Sequence, residues 1–205
     1  SLRRREAVIL SAVVTLGICL GYALTRYVLL GPVPPDHIPA FVLNKAIAMA
    51  SAIYLCRAAG SHYSGRDEDR QNWGRMAVHC GFLHGLITLA ILSGSTYPAL
   101  FAENRLSFRG ETVILFGVLA AYGFWQISRY RSVVSSKRLL QVAASLVVSG
   151  HLFALGASGW AVPSDWNGGM PPISLISFVA AAAASLLFLA KGSEHHQHSK
   201  GTSSE

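Results

Sequence analysis

Charge is nearly absent from six long stretches of this chain, about 7–30, 38–59, 76–95, 111–128, 139–159 and 171–190, and it gathers in the segments between them. Each stretch reaches the roughly 20 mainly apolar residues a helix needs to cross a bilayer. A backbone at that depth finds no water, so its N–H and C=O groups must bond within the segment, as a helix does. The expected fold is therefore all-α, a polytopic bundle of six transmembrane helices over residues 1–190. The remainder, 191–205, is polar and is expected as a disordered tail. Composition agrees: the 205 residues are 52% hydrophobic and 13% charged, against about 25% charged in a soluble domain.

Cations in the loops set the orientation. If the N-terminus lies inside, thirteen of the seventeen Lys and Arg residues fall in inner segments and only Arg105 and Arg109 in outer ones. Both termini are thus expected in the cytoplasm, with the chain a multi-pass protein of the cell's inner (plasma) membrane. The net charge of +7 needs no nucleic acid, since basic loops beside an anionic leaflet account for it. Arg3, Arg4 and Arg5 before the first stretch resemble a signal-peptide start, but that apolar run exceeds the 7–15 residues of such a region. A retained anchor is expected, and the missing initial Met points to a trimmed or partial chain.

Turn chemistry marks the boundaries. The loop G-P-V-P-P-D-H-I-P (31–39) is too rich in proline to continue a helix. The connector 60–74 reads as a solvated inner loop, its D-E-D run as surface. Trp160 and Trp166 sit where an outer aromatic belt would place them, and Pro171 and Pro172 open the last helix.

Cys19, Cys56 and Cys80 form no C-x-x-C pair, which speaks against a disulfide relay; each reads as a small buried side chain. The H-H-Q-H run at 195–198 reads as a solvated tail, with weak metal binding the alternative. No glycine-rich nucleotide loop is present, and no soluble domain is long enough for a flavin or nicotinamide cofactor.

Ionisable groups at membrane depth are costly and mark functional sites. They are Arg26, Lys45, His79, His84 and His151. At about 1.5 Å per residue, His84 lies roughly 15 Å below the outer end of the third segment and His151 roughly 13 Å below that of the fifth. Two imidazoles at one level on different helices can clamp one iron from opposite faces, as in a b-type heme. Gly81 and Gly85 around His84, and Gly150 and Gly156 around His151, leave room for a flat macrocycle. His79 is turned about 140° from His84 and reads as structural or proton-handling rather than as a ligand. Arg26 and Lys45 lie in the outer half, where heme propionates would need partners; snorkelling to headgroups is the alternative, easy for Arg26 and strained for Lys45.

The segments L-N-K-A-I-A-M-A (43–50), F-L-H-G (82–85), N-R-L-S-F-R-G-E-T-V-I-L-F-G (104–117), S-G-H-L-F-A-L-G (149–156) and G-G-M-P-P-I-S-L-I (168–176) resemble the ferric reductase-like transmembrane domain family. That group includes the membrane parts of ferric reductases and NADPH oxidases and the heme-binding membrane subunit of a methionine sulfoxide reductase system. The resemblance implies a six-helix domain with heme-ligating histidines on helices three and five, which His84 and His151 match. Two-heme relatives carry a pair on each of these helices, whereas this fifth segment has one histidine, so one heme is expected.

The resulting expectation is a membrane cytochrome b-like protein, an oxidoreductase membrane subunit in a lipid bilayer. It would pass electrons from a quinol or a reductase partner to an acceptor. The rival reading is a heme-free transporter or structural subunit in which His and Lys handle protons. The scarcity of acidic residues in the fifth and sixth segments argues against it.

Overall fold

The computed structural model describes residues 2–31, 37–129 and 134–200. Six α-helices run in chain order: α1 (Leu2–Leu24), α2 (Ile38–Tyr63), α3 (Asp67–Ala90), α4 (Phe108–Arg129), α5 (Val134–Trp160) and α6 (Ile173–Lys200). A π-helical turn at Thr25–Leu29 extends α1. The chain is all-α apart from one hairpin of two-residue strands, β1 (Phe101–Ala102) and β2 (Arg105–Leu106), paired antiparallel. Its turn residues, Glu103 and Asn104, have φ of 49° and 63°, the left-handed pair that a tight primed turn requires.

Local sequence explains the helix ends. α2 closes where Gly65 takes φ 71°. There the Arg66 and Gly65 amides bond the Ser61 and His62 carbonyls at 2.8 and 3.1 Å, the double bond of a glycine-terminated helix. α3 starts on Asp67, Glu68 and Asp69, acids that favour the positive end of the helix dipole. The Ser107 hydroxyl caps α4 by accepting from the Gly110 amide at 3.2 Å.

Helix α2 is central and packs on α1, α3 and α6; α5 packs on α4 and α6. The core along α2 joins Cys19, Ala46, Ala50, Tyr54, Ala58, Trp73 and Phe188. Small residues let the helices approach: an added Cβ on Gly123 would lie 3.2 Å from the Ala144 Cβ. Large apolar side chains also cover the outside, with Leu10, Ile18, Leu86 and Leu186 each about two-thirds exposed. A bundle apolar both inside and outside is matched to lipid rather than water. Among the described residues, five helices are long and apolar enough to cross a membrane.

The exception is α3. The third apolar segment was expected to run to 95, but its helix ends at Ala90 and the chain then turns through Ser93–Leu100. From Met76 to Ala90 that leaves about 22 Å of helix, short of a core about 30 Å thick. The expected connector 60–74 also shrinks to Ser64–Arg66, because α2 and α3 extend into it. At the other end α6 continues as helix through 191–200, where a disordered tail was expected; 201–205, like most of the proline-rich loop (32–36), lie outside the described residues.

Two arginine forks tie the second layer. Arg109 at the start of α4 donates to the Ala154 carbonyl at 3.0 Å and to that of Leu155 in α5. Arg138 near the start of α5 donates to the Phe188 and Leu189 carbonyls of α6 at 3.0 and 2.7 Å.

Candidate functional site

Five elements converge at one end of the bundle. His84 and Thr88 lie one turn apart on α3, Asn44 and Lys45 are on α2, His151 is on α5, Val113 is on α4, and Tyr97 stands in the turn after α3. The His84 and His151 rings lie with centroids 6.5 Å apart and planes at 77°, an edge-on arrangement. Yet α3 and α5 share no extensive packing, so the rings meet across a gap between helices.

Each imidazole is oriented through Nδ1. His151 Nδ1 lies 2.8 Å from the Val113 carbonyl oxygen, which can only accept, so this nitrogen carries the proton. His84 Nδ1 lies 2.7 Å from Asn44 Oδ1, also an acceptor. The Asn44 amide is held in turn: its Nδ2 donates to Thr88 Oγ1 and to the Tyr97 hydroxyl, both at 2.9 Å. Asn44 is 0% exposed, and all its side-chain polar atoms are used. Both Nε2 atoms therefore carry a lone pair, and neither has a hydrogen bond among the described residues.

The cations surround an aromatic group above the histidines. Lys45 Nζ sits 5.0 Å from the centroids of both the Phe41 and Tyr97 rings, and its charge is near enough to act on both imidazoles. It has no carboxylate partner within ion-pair distance among the described residues. Arg26, 6% exposed, lies 5.7 Å from the Tyr27 ring centroid and donates to the Met170 carbonyl. Its Nε has no hydrogen-bond partner among the described residues. Tyr27 meets Phe41 edge-on at 5.2 Å, so a continuous aromatic contact links the two cations.

His79 stands apart. It is exposed on the outward face of α3 and makes no hydrogen bond among the described residues. The three cysteines are free, and no group of three or more His, Cys, Asp or Glu residues that could hold a metal occurs among the described residues. Asp67 and Glu68 of the D-E-D run are exposed, whereas Asp69 is buried near Arg66. The side chains of the H-H-Q-H run lie outside the described residues.

Sequence reasoning did not find Thr88, Tyr97 or the Val113 carbonyl, nor the part that Asn44 plays. For Thr88 a signal existed, a hydroxyl one helical turn after a histidine in a charge-free run. No protein-family model and no curated protein matches this chain.

Proposed function

We propose that this chain is a six-helix membrane electron-transfer protein holding one b-type heme between His84 and His151. The carrying observation is the ring pair itself, 6.5 Å between centroids with each Nδ1 donating to a protein oxygen. Two nitrogens each about 2 Å from one metal put their ring centroids about 6 Å apart. Ligating histidines almost always donate their other N–H in this way. The residues present therefore fit the group. When bound, the heme supplies one-electron ferric/ferrous chemistry.

The chain's own residues bind and orient. Gly85 supports a close approach on α3, since an added Cβ there meets nothing within 4 Å. Lys45 and the Arg26 Nε are cationic donors left for the carboxylates of a propionate-bearing ligand. The short α3 is the sixth crossing, completed by the turn after it. Both termini lie in the cytoplasm of a plasma-membrane protein, in keeping with the loop cations. Electrons enter from a quinol or a reductase partner and leave to an outer acceptor. The resemblance to ferric reductase-like domains supports the same arrangement.

The test is a dithionite-reduced minus air-oxidised spectrum of detergent-purified protein from heme-sufficient cells. A sharp alpha band and a shifted Soret peak are expected, lost in His84→Ala and in His151→Ala and kept in His79→Ala. A featureless wild-type spectrum overturns the proposal in favour of a heme-free transporter or structural subunit.

A further inference from the structure

Asn44 does more than fill space beside His84. A side-chain amide has two ends: here Oδ1 faces the imidazole at 2.7 Å, while Nδ2 faces two hydroxyl oxygens at 2.9 Å. Turning the amide over would point N–H at Nδ1 and leave His84 with its proton on Nε2. The second imidazole needs no such device, because Val113 offers a backbone carbonyl that no side-chain substitution removes. Of the two orienting bonds, one is therefore built into the main chain and the other rests on a replaceable side chain.

We infer that Asn44 is the positioning residue that holds His84 with Nδ1 protonated and Nε2 open, and that it thereby sets the redox potential of the iron held there. This rests on the heme reading above. An acceptor on the far nitrogen makes an imidazole a stronger donor to metal, and partners of this kind typically change metal affinity 10–100-fold. A stronger donor favours ferric over ferrous iron, so the strength of the acceptor at position 44 sets the potential. The network also links the ligand outward, since the same amide binds Tyr97 in the turn after α3.

Two substitutions move the acceptor in opposite directions. Asn44→Asp keeps size and shape, and the Thr88 and Tyr97 hydroxyls, able to donate as well as accept, can rotate their protons toward the new carboxyl group, with Lys45 alongside. Asn44→Leu keeps volume but offers His84 nothing. Each is read in two ways: ¹⁵N-histidine NMR of heme-free protein reports which ring nitrogen of His84 carries the proton, and a redox titration of loaded protein reports the midpoint.

The expected result is Nδ1–H in wild type and Asn44→Asp, with loss of that preference in Asn44→Leu. The midpoint should fall in Asn44→Asp and rise in Asn44→Leu; a tenfold change in relative ferric and ferrous affinity is about 59 mV. Nε2–H in wild type, or one midpoint shared by all three proteins, overturns the inference while leaving heme binding intact. A wild type that takes up no heme overturns the functional reading itself, and this inference with it.

Discussion

Gly110→Ala should be among the most damaging single-methyl changes near the His84 and His151 end of the bundle. An added Cβ at Gly110 lands against the Leu100 carbonyl oxygen, 3.0 Å from Leu106 Cδ2 and 3.2 Å from the Leu100 carbonyl carbon. Backbone cannot rotate aside as a side chain can, so the turn must move off α4. That same carbonyl accepts from the Ser107 amide at 2.9 Å and its hydroxyl at 3.1 Å, two bonds of about 1 kcal/mol each. Overpacking adds about 1–3 kcal/mol, and the helix preference for alanine returns about 1 kcal/mol at most. The net loss is about 2–4 kcal/mol. Leu100 packs with Phe41, Tyr97 and Val113, so displacement also reaches the partners of both histidines. The control is Gly85→Ala, where the methyl meets nothing within 4 Å and stability should rise by up to about 1 kcal/mol. The assay is thermal unfolding in one detergent, followed by far-UV circular dichroism on heme-free protein. At roughly 2–4 °C per kcal/mol, Gly110→Ala should melt several degrees below wild type and further below Gly85→Ala. A Gly110→Ala protein melting at or above Gly85→Ala would refute the reasoning.

One further outcome follows from the cluster around Lys45. Lys45→Met loses two cation–π contacts of about 0.5–1 kcal/mol each but removes a charge costing about 2.5–3.5 kcal/mol at membrane depth. Heme-free protein should therefore gain about 1–2 kcal/mol in thermal unfolding, while heme leaves faster for apomyoglobin; slower loss would show that Lys45 serves no propionate.

The helical class and most segments were legible because charge is expelled from apolar runs, a signal that survives without any tertiary information. His84 and His151 stood out for the same reason, and helix rise alone placed them at similar depth. Their orientation was not legible. Whether Asn44 turns toward His84 or Lys45 toward two rings depends on how α2 is rotated against α3, and that is fixed by the small residues lining the contact. The end of α3 also escaped the sequence reading. Residues 91–95 are nearly as apolar as those before them, yet Ser93 starts a turn by accepting from the Thr96 amide at 3.2 Å, which competes locally with the helix. The π-helical turn that aims Arg26 at the Met170 carbonyl leaves no mark in hydropathy.

The arginine forks give α5 a mechanical status that no other helix shares among the described residues. Arg109 grips it from α4 toward one end, and from its other end Arg138 grips α6. Sliding α5 along either neighbour would strain a charge-assisted bond to a backbone oxygen, so the assembly resists shear as a diagonally braced frame does. The helix carrying His151 is thereby held in register between its two neighbours.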